Sequence, residues 1–198
     1  MDIDLNKERF LQLYAKYITR EGSDKLLKWL VDSDFFTAPA SSKFHNAVAG
    51  GLCDHSLHVF DRATDLYEKE IKKPDSLFSK ITMENVAVAA LLHDVCKVNF
   101  YQVKLRNVKN DGIWEQVPYY CVEDKLPYGH GEKSVYIISG FMKLTRDEAM
   151  AINWHMGGFD KRVLGGDFSL SAAFYDYPFS TLIHVADIMA TYFDEERA

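Results

Sequence analysis

The histidines His55 and His93 and the carboxylates Asp94 and Asp187 stand in three separated apolar segments: Gly51-Leu52-Cys53-Asp54-His55-Ser56-Leu57, Leu91-Leu92-His93-Asp94-Val95-Cys96-Lys97 and His184-Val185-Ala186-Asp187. Imidazole and carboxylate together suit divalent first-row metals, and burying either on a core-facing helix is costly without a cation or a hydrogen-bonding partner. The residue types and their apolar setting therefore predict a metal centre on His55, His93, Asp94 and Asp187. His130 and His155 supply enough further donors for a second ion. Adjacent helical residues point about 100° apart, so His93 and Asp94 can approach one cation from neighbouring directions, or the carboxylate can reach a second. Asp94 is the predicted bridge. Lys97 follows His93 by four positions and Asp94 by three, which puts its ammonium on the same helical face, placed to hold a phosphate oxygen.

These side chains need a helical frame, and the spacing of apolar residues supplies one. Apolar positions recur at helical intervals from Leu5 to Tyr17 and again from Ser23 through Val31. The breaker Thr37-Ala38-Pro39-Ala40-Ser41-Ser42 leads to Gly50-Gly51, where a long helix carrying His55 starts and runs towards Ile71. Thr82 is the N-cap of the next helix, whose Val86 to Leu92 run holds only Val, Ala and Leu and is expected to be buried on most sides. Tyr101 to Lys109 and Trp114 to Glu123 are rich in aromatic and β-branched residues around Asn110-Asp111-Gly112, which predicts a small β-hairpin insertion at about residues 101–123.

Lys133 to Met142 reads as a helix entered through Tyr128-Gly129-His130-Gly131. Thr145 and Glu148 form a capping box, and Gly157 stands where a C′ glycine would, so His155 falls in the last turn of the helix between them. A loop is expected from Gly157 to Ser171. Pro178 opens a final helix containing His184 and Asp187, and a polar tail, Asp194-Glu195-Glu196-Arg197, follows. Trp29, Trp114, Tyr192 and Phe193 are assigned to packing, and so is Trp154, which also adjoins His155 and can shape the pocket wall.

At 198 residues and 47% apolar composition the chain can bury one substantial core, and it reads as a single domain with scaffold helices over 1–40 and a metal-binding core over 41–195. No stretch approaches the roughly 20 apolar residues of a membrane span, and the charged start Met1-Asp2-Ile3-Asp4 is unlike a signal peptide, so a cytoplasmic location is expected. A net charge of −6 opposes attraction of long nucleic acid. A small anionic substrate stays feasible because bound dications reverse the local potential. The three cysteines lack any C-x-x-C pairing and read as free thiols.

The ordered set His55, His93-Asp94 and Asp187 resembles the HD-domain superfamily of metal-dependent phosphohydrolases, and the likeness covers most of the chain. Ala38-Pro39-Ala40 through His45 to the His55 segment is similar to the entry to the first ligand in the branch that contains HD-type exoribonucleases. Leu91 to Tyr101 resembles the family's His-Asp-x-Gly-Lys segment, with Cys96 in the glycine position. The resemblance implies a mostly α-helical bundle and two divalent ions (Fe, Mn, Ni, Co or Mg). One would take His55, His93, Asp94 and Asp187, the other Asp94, His130 and His155. It implies hydrolysis of a phosphoester bond of a nucleotide or short phosphodiester by a metal-activated water, with Asp94 and Lys97 at the reacting centre. Lys104 and Arg106 of the hairpin, with Tyr101 and Trp154, are candidate substrate contacts; His45, His184 and Glu132 are candidate supporting groups, Glu132 also as a proton donor to the leaving oxygen. Two other readings share the ligands: a mixed-valence diiron oxygenase acting on a small polar organic substrate, and a nucleotide-binding module without catalysis.

Overall fold

Asp2 accepts hydrogen bonds from the Asp4 and Leu5 amides at 3.1 Å each and so opens α1 (Ile3–Tyr17), whose Phe10 and Tyr14, one turn apart, face the core. The computed structural model describes residues 1–195. A tight bend leads into α2 (Ser23–Asp32), with Gly22 at its N-cap in the left-handed region at φ +87°. A Cβ there would lie 1.9 Å from the Phe141 carbonyl oxygen. Gly22→Ala is therefore expected to lower unfolding free energy by more than about 1 kcal/mol, through backbone strain and displacement of the α2 start. Urea denaturation measures it, and an unchanged midpoint would count against the strain.

α3 (Gly51–Glu70) follows Gly50, and α4 (Met83–Leu92) starts at the reciprocal cap of Thr82 with Asn85. α4 is the central element: Val86 through Leu92 have no exposed surface, and α1, α3 and α6 (Arg146–Trp154) pack around it. An all-apolar helix is stable only when enclosed in this way. The structure is mostly α-helical with one antiparallel hairpin among the described residues, as the sequence indicates.

Several local expectations are corrected. α4 ends at Leu92, and His93 and Asp94 stand at its exit, followed by a 3₁₀ turn, Val95–Lys97, rather than by more helix. The chain must turn here to leave the core: Asn99 takes φ +52°, and its amide donates to Asp34 Oδ1 at 2.7 Å. α5 (His130–Ser139) begins earlier than read, so His130 is its first residue and not part of the entering loop. The stretch from Gly157 to Ser171 is not one loop. It holds a 3₁₀ turn (Gly157–Phe159), α7 (Lys161–Leu164), which Asp160 caps by accepting from the Arg162 amide at 2.8 Å, and the start of α8 (Ser169–Asp176).

The hairpin pairs β1 (Tyr101–Asn110) with β2 (Ile113–Val122) through Asp111-Gly112, at φ +48° and +86°, the two left-handed residues that a type I′ turn requires. No second layer covers it among the described residues, and Trp114, 68% exposed, lies beneath Lys109 instead of in the core. α9 (Pro178–Met189) packs on α3 and α6 and continues into a π-helical turn, Ala190–Asp194. That widened turn carries Tyr192 and Phe193 off the buried face, contrary to their assignment to packing. Asp194 and Glu195 fold back against α3 and are no free tail, while Glu196 and Arg197 lie outside the described residues. No helix among the described residues is long and apolar enough to cross a membrane.

One buried ion pair ties the N-terminal bend to α6. Arg20 gives two N–H bonds to Glu148, each 2.7 Å, and a third to Glu84 at 3.2 Å. Glu148 also accepts from Asn85 Nδ2 at 2.8 Å and from the Thr145 amide at 2.7 Å, closing the predicted capping box.

Candidate metal centre

Four helices and one turn deliver side chains to a common point: His55 from α3, His93 and Asp94 at the exit of α4, His130 opening α5, His155 closing α6 and Asp187 on α9. Asp94 sits in the middle, and its two oxygens face different histidines. Oδ2 lies 3.6 Å from His55 Nε2 and 3.5 Å from His93 Nε2; Oδ1 lies 2.7 Å from His130 Nε2 and 3.5 Å from His155 Nε2. Asp187 Oδ1 approaches His55 Nε2 at 3.3 Å, and His93, His155 and Asp187 offer donor atoms within 4.8 Å of one another. The cluster is buried, and solvent reaches it on the side of His130 and Asp187, whose side chains are 30% and 14% exposed.

The backbone fixes the histidine tautomers. His93 Nδ1 donates to the Ala90 carbonyl at 2.8 Å and His155 Nδ1 to the Ile152 carbonyl at 2.6 Å. A carbonyl accepts only, so each proton stays on Nδ1 and each Nε2 turns a lone pair inward. His155 Nε2 is buried with no hydrogen-bond partner among the described residues, a costly state for a polar atom unless a cation meets it. His55 Nε2 and His93 Nε2 are 3.0 Å apart. Two nitrogens bound at about 2.1 Å to one ion with a right angle between them would be separated by about that distance. The donors present thus fit divalent metals.

Charge within the cluster points the same way. Burial alone would raise the Asp94 carboxyl, but Lys97, then His93 and His130, hold it well below the usual carboxylate range. Asp187 is likewise held low against its burial by His55, His93 and His155. Burial would depress His55, yet Glu195 and Asp187 raise it to about 10. The extra proton on His55 balances carboxylate charge, and an incoming cation would displace it from Nε2.

The other candidate residues divide. Lys97 joins the cluster: its Nζ donates to Asp94 Oδ2 at 2.5 Å from within the core. His184 Nδ1 donates to the His155 carbonyl at 2.6 Å, and its ring fills the space that a Cβ on Gly157 would claim at 2.2 Å. Cys96, in the glycine position of the motif, fits without left-handed backbone; its amide donates to Ser134 Oγ at 3.1 Å. Tyr101 is half-buried near Lys97, with its hydroxyl raised to about 12 by burial. Lys104 and Arg106 project from the hairpin, Arg106 over the Tyr119 ring at 5.5 Å. A cleft of about 510 Å³ lies between the hairpin and the loop at Ser42 to Ala47, lined by Lys43, Arg106, Tyr119 and Tyr120.

Trp154 and Glu132 also stand apart from the cluster. Trp154 is buried beneath Arg162, whose guanidinium lies 3.9 Å from the ring, and Glu132 is paired with Arg162 at 2.7 Å. Neither has a hydrogen bond or ion pair with the cluster among the described residues. Sequence reasoning missed Arg162 and Glu195. Glu195 accepts from His55 Nδ1 at 2.6 Å and from His45 Nδ1 at 2.5 Å. The π-helical turn shifts the helical register between Asp187 and Glu195, so spacing carried no signal of it.

A family model described as HD domain matches residues 52–191, more than half of the chain. The chain matches no curated protein and no solved structure.

Proposed function

The chain belongs to the HD-domain family, and on that premise we propose that it hydrolyses a phosphoester bond of a nucleotide or a short phosphodiester, using two divalent ions. HD domains bind divalent metals and are typically metal-dependent hydrolases. The observation that carries the proposal is the division of Asp94, with one oxygen toward His55 and His93 and the other toward His130 and His155. In this reading His55, His93, Asp94 and Asp187 hold one ion, and Asp94, His130 and His155 hold the other. When bound, such ions supply Lewis acidity to phosphoryl oxygens and acidify a water to near neutrality.

The chain's own groups do the rest. Lys97, anchored on Asp94 Oδ2, keeps that carboxylate in one orientation and brings a positive charge toward oxygens that gain charge in the transition state. The Ala90 and Ile152 carbonyls hold the His93 and His155 rings, so no reorganisation is needed when substrate arrives. Substrate enters past His130 and Asp187, the exposed edge of the cluster. The cationic and aromatic lining of the hairpin cleft, Lys43, Arg106, Tyr119 and Tyr120, suits a nucleotide's phosphate and base. The net charge of −6 favours such small substrates over long RNA.

Purified protein is expected to hydrolyse p-nitrophenyl phosphate or bis-p-nitrophenyl phosphate with manganese, cobalt, nickel, iron or magnesium. Absence of turnover with every metal, on these reporters and on a panel of nucleotides, would overturn the proposal. Turnover that requires iron and consumes dioxygen would give the same ligands to oxygenase chemistry. Binding also stabilises by mass action: an ion at about 100 times its Kd adds ~2.7 kcal/mol. Differential scanning fluorimetry should then show a rise of about 5–10 °C that a chelator reverses.

A further inference from the structure

After α9 the π-helical turn brings two consecutive carboxylates back across α3. Asp194 pairs with Arg62, and Glu195 reaches the side of His55 that faces away from the cluster. The Glu195 side chain has no exposed surface and divides its oxygens: Oε1 accepts from His55 Nδ1 at 2.6 Å, Oε2 from His45 Nδ1 at 2.5 Å. The His45 and His55 rings also pack edge to face with centroids 4.9 Å apart. A carboxylate is expensive to bury, and among the described residues this one is compensated by the two imidazoles it holds, with His58 Nδ1 farther off at 4.0 Å.

We infer that Glu195 is a positioning residue of the metal centre: it holds a His55 proton on Nδ1, which leaves Nε2, on the Asp94 side, as the nitrogen to meet a cation, and it pins the His45 loop to the same carboxylate. The inference rests on the metal-dependent reading above. Unlike His93 and His155, which lean on carbonyls of their own helical turns, His55 depends on a residue distant in sequence. Without Glu195 the ring is free to flip or to carry its proton on the wrong nitrogen. Loss of such a partner lowers metal affinity about 10–100-fold. His45 serves the loop rather than the ion, which separates its effect from that of Glu195. The same loop carries Lys43, so the cleft wall and the His55 ligand share one anchor.

The test is calorimetric titration of the metal-free protein with manganese, resolving both ions. Glu195→Ala is expected to weaken one ion about 10–100-fold and to leave the other within about threefold. Glu195→Gln, which keeps one accepting oxygen and the side-chain volume, should fall between wild type and Glu195→Ala and covers the case in which the alanine variant does not fold. His45→Ala should leave both affinities within about threefold of wild type. Wild-type affinity at both sites in Glu195→Ala would overturn the assignment, as would equal weakening of both together with a lower melting temperature of the metal-free protein. A wild-type protein that binds no manganese or other divalent ion would instead overturn the metal-dependent reading beneath it.

Discussion

Asp94→Asn is expected to slow phosphoester hydrolysis by at least about a thousand-fold, ~4 kcal/mol of transition-state stabilisation, and to lower the metal content of the purified protein below two ions per chain. The two oxygens of this carboxylate face the two histidine pairs, so removing its charge weakens both proposed ion sites at once. Asparagine keeps the shape but offers one oxygen, and its amide nitrogen would point at a metal or at the inward lone pairs of the histidines. The substitution also strips buried Lys97 of its counterion. An Asp94→Asn/Lys97→Met protein therefore separates loss of fold from loss of chemistry: it should regain stability without regaining rate. Elemental analysis and single-turnover rates read the two effects. A variant that retains both ions and a rate within tenfold of wild type would remove Asp94 from the reaction.

Glu148→Ala should cost about 3–5 kcal/mol of unfolding free energy, because it leaves the Arg20 guanidinium largely buried without its bidentate partner. The carboxylate is 0% exposed and accepts from Arg20, Asn85 and the Thr145 amide, so three donors lose their acceptor together. Urea denaturation followed by circular dichroism measures the loss. Replacing both partners, Arg20→Met with Glu148→Leu, should recover part of it, since no buried charge remains, but the carboxylate's half of the capping box, its bond from the Thr145 amide, stays lost. Equal stability of the single and double variants would show that the ion pair is not what holds α6 to the bend. Phosphoester hydrolysis by whatever protein remains folded should change little, as none of these groups touches the metal cluster.

What the sequence made legible follows from how each residue acts. His55, His93 and Asp94 stand out because a polar group inside a run such as Val86 to Leu92 has no cheap explanation other than a partner, and the caps at Thr82 and Thr145 announce their helices by chemistry local to the chain. The hairpin turn was equally local, set by two residues able to adopt positive φ. Glu195 was hidden for the opposite reason. It lies among acidic residues at a helix end, where solvation is the ordinary outcome, and only a π-helical turn turns it inward. After Gly157, Gly165-Gly166 and scattered polar residues conceal short helices whose caps span only one turn, so the sequence there reads as loop. Trp154 looked available beside His155, but adjacent helical positions diverge, and Arg162, distant in sequence, covers its ring.

The six cluster residues are strung from position 55 to position 187, with a hairpin inserted between Lys97 and His130. No pair of neighbouring helices can assemble the ion cradle by itself, and closing such long intervals costs chain entropy before any ligand bond repays it. Assembly therefore awaits collapse of nearly the whole polypeptide around α4. During synthesis the emerging chain would hold dispersed, weak donors, and the proposed ion sites would be complete only once α9 has docked.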